Sequence, residues 1–307
     1  MWLYRGGPFQ QLAERTLSVT IETRSIAANG LTFVADCAGG GDMVALLLHG
    51  FPESRASWRE QLPALAALGW RAVAPDLRGY GDSSRPLGRE AYRIERLVED
   101  VAALLEALGA RRRVLIGHDW GGAIAWAAAL RGVPIDGLVI LNAPHPDAFR
   151  RALQTWDQRR RSWYMAFFLL PWLPELMLTW RGGQELTEGL AKQTRHFPPE
   201  LLAAMRRNVT APGAATAMLN YYRANMLRYA KAAGQPAPLI ECPTLLIWGE
   251  DDVYLGPGLA SGNEEFVSNL TVKRLPGVSH WVQQDAPDEV NRLIGEWARQ
   301  QGLAISS

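Results

Sequence analysis

The sequence predicts an α/β fold: a mostly parallel sheet flanked by helices, with one helical lid inserted into the chain. Three observations predict it. Short apolar runs alternate with longer amphipathic segments up to about residue 144, the order expected of strands joined by crossover helices. Strand signals vanish over residues 145–237, where Trp and Phe accumulate at helical spacing, punctuated by Pro171, Pro174, Pro198-Pro199 and Pro212-Gly213. They resume at Thr244. The expected division is core over residues 1–144, lid over 145–237 and the rest of the core over 238–307.

Taken in order, residues up to Ser18 read as an irregular extension with no visible function. Alternation over 19–26 and 31–37 predicts an opening hairpin around Asn29-Gly30, a strong turn dipeptide. A strand over 44–48, a helix over 57–68 and a strand over 71–75 follow. The segment 93–108 carries Leu97, Val101, Leu104 and Leu108 on one helical face, as packing on a sheet requires. Arg113-Val114-Leu115-Ile116 reads as a buried strand, Ala123 to Leu130 as a helix and 137–141 as another strand. Beyond the lid, the runs starting at Leu245 and Thr271 read as the last strands.

Between the strand at 113–116 and the following helix lies Gly117-His118-Asp119-Trp120-Gly121-Gly122. Glycines on both sides allow a turn too sharp for larger residues, which leaves Asp119 exposed at the strand end. A carboxylate there can displace a leaving group from an sp³ carbon and become an ester. A solvated Asp capping a helix would leave the same short motif, so its companions decide. His49-Gly50-Phe51-Pro52-Glu53 follows the strand at 44–48. The backbone N–H of Phe51 is a candidate oxyanion donor, and Pro52 would hold it, a cis bond being one way to do so. Leu245-Leu246-Ile247-Trp248-Gly249-Glu250-Asp251-Asp252 ends a strand in acids, and Gly277-Val278-Ser279-His280-Trp281 follows the last strand. Of five histidines, only His280 lies downstream of those acids. The order Asp119, Asp252, His280 (nucleophile, acid, histidine) is that of the α/β-hydrolase fold, and other triad folds use other orders.

Carrying these motifs, nearly the whole chain resembles an epoxide hydrolase of the α/β-hydrolase superfamily. The His49–Glu53 loop, the elbow and Ser279-His280-Trp281-Val282-Gln283-Gln284 are similar to that family's motifs. So are Asp76-Leu77-Arg78-Gly79-Tyr80-Gly81-Asp82-Ser83 and Asn142-Ala143-Pro144-His145-Pro146. The resemblance implies two lid tyrosines whose hydroxyls hold the epoxide oxygen. These are Tyr164, upstream of Pro171 and Glu175, and Tyr222 in Asn220-Tyr221-Tyr222-Arg223. Tyr221 stands where the family often has Trp. The family spacing selects Asp252 over its rivals Asp251 and Asp147 as the group that orients His280.

The implied substrate is a small apolar epoxide and the product a vicinal diol, with no metal or organic cofactor. Asp119 attacks an epoxide carbon, Tyr164 and Tyr222 donate to the departing oxygen, and a water activated by His280 hydrolyses the ester. The N–H groups of Phe51 and Trp120 hold the oxyanion, a role worth ~3 kcal/mol per donor. A haloalkane or haloacid dehalogenase is the alternative, since it uses the same ester and the same histidine, and the Trp120 ring N–H could serve a halide. Fluoroacetate dehalogenases, however, carry Arg directly after the nucleophile, where this chain has Trp120. A non-catalytic ligand receptor on the same fold is a third reading, but no triad position is broken. A serine esterase is disfavoured because no serine occupies the elbow.

Composition agrees with a globular enzyme: 48% hydrophobic and 21% charged residues over 307. A net charge of +1 argues against a nucleic-acid or membrane-surface role driven by bulk electrostatics. The clusters Arg111–Arg113 and Arg159–Arg161 read as solvated faces. Cys37 and Cys242 are too few for a disulfide framework or a Cys-rich zinc site and read as buried free thiols. The start of the chain shows no signal-peptide pattern. The most apolar aromatic run, Trp163 to Leu173, is far shorter than the ~20 residues of a membrane helix. A cytoplasmic location without membrane insertion is the default expectation. A homodimer is compatible with the sequence, which does not fix the oligomeric state.

Overall fold

An antiparallel hairpin opens the sheet, pairing β1 (Ile21–Ala28) with β2 (Leu31–Ala38). The computed structural model describes residues 19–231 and 238–304, so the expected N-terminal extension and the expected end of the lid lie outside the described residues. Asn29 and Gly30 take φ values of 48° and 70°, the left-handed pair that a two-residue hairpin turn needs. Then come β3 (Met43–Leu48), α1 (Gln61–Ala67), β4 (Arg71–Pro75), α2 (Ile94–Ala107), β5 (Arg112–His118), α3 (Trp120–Leu130) and β6 (Gly137–Leu141).

After β6 the described residues form seven α-helices before the next strand: α4 (Pro146–Ala152), α5 (Trp156–Arg161), α6 (Trp163–Phe168), α7 (Leu173–Thr179), α8 (Gln184–Ala191), α9 (Pro199–Thr210) and α10 (Ala214–Lys231). β7 (Thr244–Gly249), β8 (Leu270–Leu275), α11 (Val282–Asp285) and α12 (Pro287–Gln300) complete the described chain. The eight strands form one sheet in the order β1-β2-β4-β3-β5-β6-β7-β8. β2 runs antiparallel to both neighbours, and every pairing from β4 to β8 is parallel.

β3, β6 and β7 are buried throughout, as parallel strands covered on both faces must be. Successive side chains point to opposite faces. Leu46, Leu115, Ile140 and Leu246 pack with Leu97, Val101 and Leu104 of α2 on one face. Leu47, Ile116, Val139 and Ile247 pack with Leu62 of α1 and Leu293 and Trp297 of α12 on the other. The sheet is thus a rigid floor from which the ends of β3, β5, β6 and β7 present their loops.

Two local expectations change. The helix expected over 57–68 begins only at Gln61, after a separate 3-10 turn at Arg55–Trp58. Pro63 lacks an N–H and is tolerated only in the first turn of a helix, which fixes the start just before it. Cys37 and Cys242 are free but half-buried, since one lies on β2 near the sheet edge and the other just precedes β7. Burial pushes both thiols up from their ordinary pKa. Arg111, Arg112, Arg159 and Arg160 are exposed. No helix among the described residues is long and apolar enough to cross a membrane.

Candidate active site

Asp119 ends β5 and opens α3 with φ 51° and ψ −119°, a backbone state that non-glycine residues rarely adopt. The turn closes because Gly121 passes so near the Leu48 carbonyl that a Cβ there would overlap it. The two carboxylate oxygens of Asp119 have different surroundings. Oδ1 accepts the Phe51 N–H at 2.8 Å, while Oδ2 faces His280 Nε2 at 3.5 Å. The Phe51–Pro52 bond is cis. Trp120, the other expected oxyanion donor, begins α3, but the Asp119 side chain makes no capping bond there. Of the expected pair, only the Phe51 N–H holds the resting carboxylate. Oxyanion donors need to meet the later tetrahedral oxygen, not the planar group.

His280 Nδ1 bonds Asp252 Oδ2 at 2.6 Å. Asp252 is fully buried and held from three other sides, by Asn142 Nδ2 at 2.7 Å and by the N–H groups of Tyr254 and Leu255 at 2.8 Å each. Asp251 is exposed, and Asp147 pairs with Arg150, so neither rival meets the histidine. Burial alone would lower the His280 pKa. The carboxylates of Asp252 and Asp119 outweigh it and push it up to about 10. For Asp119, burial opposes the charge, but His280 and the Phe51 N–H hold the carboxyl below its ordinary pKa. Both shifts favour an Asp119 carboxylate facing a His280 imidazolium at rest.

Two cavities meet at Asp119. The larger, about 790 Å³, is lined by Phe51, Trp163, Phe168, Met177 and Tyr254. The smaller, about 520 Å³, is lined by Trp120, Met165, Met226, Tyr229 and Leu255. Asp119, Tyr164 and Tyr222 line both. Tyr164 on α6 and Tyr222 on α10 stand with ring centroids 6.3 Å apart. Burial, reinforced by the Asp119 charge, raises both hydroxyls well above the ordinary tyrosine range, so each is a proton-bearing donor at neutral pH. The Trp120 ring stands edge-on to the Tyr222 ring, with centroids 5.1 Å apart. Tyr221 turns away, its hydroxyl donating to the Arg78 carbonyl at 2.8 Å.

Residues 45–287 match the alpha/beta hydrolase fold family. Epoxide hydrolase 3 of Xenopus tropicalis is 38% identical over 268 residues, covering 84% of this chain and 72% of its own length. The AB hydrolase superfamily protein YfhM of Bacillus subtilis is 35% identical, with 92% of this chain and 99% of that protein covered. The chain belongs to the epoxide hydrolases of the α/β-hydrolase superfamily. Solved structures of this family superpose along most of the chain. One from epoxide hydrolases of hot-environment metagenomes gives a TM-score of 0.80 at 34% identity, covering 91% of this chain and 98% of that one. A product complex of a variant epoxide hydrolase from Bacillus megaterium gives 0.82 at 30% identity, covering 90% and 100%.

Three supporting groups in this family member had no role assigned from sequence. Asn142 orients Asp252 from a position with φ 40°; an Asn just past a buried strand, tolerant of left-handed backbone, was the available signal. Tyr254 stands edge-on to His280 at 5.6 Å and to Tyr164 at 5.4 Å. His118 bonds Glu53 at 2.8 Å through Nδ1 and the His280 carbonyl at 2.9 Å through Nε2, tying the elbow to the loop that carries the histidine.

Proposed function

We propose that this protein converts an epoxide and water to a vicinal diol through an ester on Asp119. The observation that carries the reading is that Asp119 shares both cavities with two protonated hydroxyls, those of Tyr164 and Tyr222. Asp119 Oδ2 attacks one epoxide carbon and the C–O bond opposite it breaks. The tyrosines donate to the departing oxygen, so it need not leave as a free alkoxide. Asp119 Oδ1 becomes the ester carbonyl oxygen, already seated on the Phe51 N–H. The proton that the departing oxygen gains from the tyrosines is made good by the resting imidazolium, which leaves His280 neutral. Oriented by Asp252, His280 then takes a proton from water as that water attacks the ester carbonyl. Phe51 N–H then holds the oxyanion, and Trp120 N–H joins it as the group becomes tetrahedral. As the intermediate collapses, His280 gives the proton taken from water to the leaving diol oxygen and takes one from the new Asp119 carboxyl, which restores the resting carboxylate and imidazolium.

The substrate shape follows from the junction. Asp119 stands where two cavities of about 790 and 520 Å³ meet, so each epoxide carbon can carry an apolar substituent, one in each arm. The helices between β6 and β7 supply both tyrosines and most of the outer walls, and act as the lid. Halide release is disfavoured because the groups that share both cavities with Asp119 are hydroxyl donors, Tyr164 and Tyr222, which suit a departing oxygen.

Rapid-quench alkylation with 1,2-disubstituted epoxides tests the reading. Tyr222→Phe and Tyr164→Phe should each slow ester formation, and the double variant should nearly eliminate it. Removing one such donor costs on the order of 10²-fold. Normal alkylation by both single variants, or turnover of haloalkanes in preference to epoxides, would overturn it.

A further inference from the structure

Among the described residues, thirteen large apolar side chains are exposed, and eight of them fall between residues 156 and 180. Four are tryptophans: Trp156, Trp163, Trp172 and Trp180, each more than half exposed. Scattered apolar residues on a surface need no explanation, but a concentrated patch marks a contact surface. Trp172 is 71% exposed and has φ 50° and ψ −33°, a state that bulky residues rarely take. The backbone is held in an unfavourable conformation to keep an indole in solvent, where folding gains nothing from it.

Part of this segment borders an opening. Trp163 and Met177, both exposed, also line the larger cavity at Asp119. Charge lies beside it. Arg159 and Arg160 follow Trp156 on α5 and are exposed. Arg159 donates only to the Leu153 carbonyl, and neither arginine forms an ion pair among the described residues.

We infer that this face docks on an anionic lipid surface, with the mouth of the larger cavity turned toward the lipid. Indoles favour the headgroup level of a bilayer, where the ring is sheltered and its N–H stays wet. Unpaired arginines beside them are drawn to anionic headgroups. A second copy of the chain fits less well. A two-fold interface would set each patch against itself, bring Arg159 and Arg160 toward their own copies, and close the cavity mouth. Docking would let an apolar substrate pass from the bilayer into the cavity without crossing water. That delivery role rests on reading the cavity as the epoxide site, whereas docking itself does not.

Vesicle flotation of the full chain reads docking alone. Vesicles of phosphatidylcholine with about one-third phosphatidylglycerol should carry the protein upward, and pure phosphatidylcholine should carry much less. Added salt should weaken the difference. Trp156→Asp/Trp172→Asp should lower the floated fraction by on the order of tenfold or more, while turnover of a water-soluble epoxide stays near wild type. Trp156→Asp alone is the reserve variant if the double variant fails to fold. No flotation at any phosphatidylglycerol content, or flotation unchanged in a folded variant, overturns the inference. So does a dimer in analytical ultracentrifugation that the same substitutions dissolve, which would assign the patch to a second copy.

Discussion

Glu53 Oε2 and His118 Nδ1 meet at 2.8 Å directly behind the nucleophile, with neither side chain exposed. Burial disfavours the Glu53 charge, but His118 outweighs it and holds the carboxyl below its ordinary pKa. Ser57 and Gln283 supply further donors. The other His118 nitrogen meets the His280 carbonyl at 2.9 Å, and the pair sets the height of the catalytic histidine loop against the elbow.

Removing one partner should therefore be expensive. His118→Ala leaves the Glu53 carboxylate in the core without its ring partner, and denaturant unfolding at neutral pH should show a loss of about 3–5 kcal/mol. The sign with pH follows. In the parent, the depressed Glu53 pKa contributes stability above the ordinary carboxylate value and loses it as pH falls through the folded value. In the variant the burial effect is opposed only by Ser57 and His49, so Glu53 takes up a proton more readily. The gap between the two proteins should narrow as pH falls through the ordinary carboxylate range near ~4.3. A gap independent of pH would mean that the Glu53 charge is not what His118 compensates.

Much of this architecture is legible in the sequence because period and punctuation agree. The strands at 71–75 and 137–141 fall where expected, since short apolar runs bounded by polar or glycine residues leave little choice. The start of α1 was misplaced because the helical spacing at 57–60 also suits a 3-10 turn. The elbow, Asp252 and His280 could be located from motif and order. Their supporting contacts could not: Asn142 reaches Asp252 across 110 positions, and His118 reaches Glu53 across 65. Tyr221 and Tyr222 are neighbours on α10, both buried; the motif selects Tyr222 as the donor, and it is Tyr222 that lines the cavities while Tyr221 donates to the Arg78 carbonyl.

Gly50 offers a test of how closely the nucleophile is held. A Cβ at Gly50 would stand 2.5 Å from Asp119 Cβ and 2.7 Å from its Oδ1, so Gly50→Ala must push the carboxylate off the Phe51 N–H. Overpacking of this kind costs about 1–3 kcal/mol, a loss that the sheet can absorb. The chemistry should suffer more, because a displacement near 1 Å can cost about 10²-fold. The single-turnover alkylation rate should fall on that order while circular dichroism remains native. A full-rate burst from a folded Gly50→Ala protein would show that the Phe51 contact is dispensable.

The two half-reactions should separate at His280. Its pKa near 10 depends on Asp252 and on the Asp119 charge, against the opposing effect of burial. Esterification removes the Asp119 charge, so the histidine should become less basic at the moment a base is required. In the folded, unreacted protein, a pKa raised from 6.5 to about 10 means that His280 contributes stability fully below about 6.5, and that this is lost as pH rises toward 10. His280→Gln should remove that part of the pH dependence of Tm. In single-turnover kinetics, the wild-type hydrolysis rate should rise with pH along a limb whose midpoint lies below 10, since the ester form governs it. Carboxylate attack needs no base, so His280→Gln should still form the ester and then stall. Intact-protein mass spectrometry should show an adduct equal in mass to the epoxide, mapped to Asp119. In ¹⁸O water, the first-turnover diol of the wild type should carry no solvent label, which should enter Asp119 instead. Solvent label in that diol, or no adduct in His280→Gln, would mean that water attacks the epoxide directly, with Asp119 as a base in place of a nucleophile.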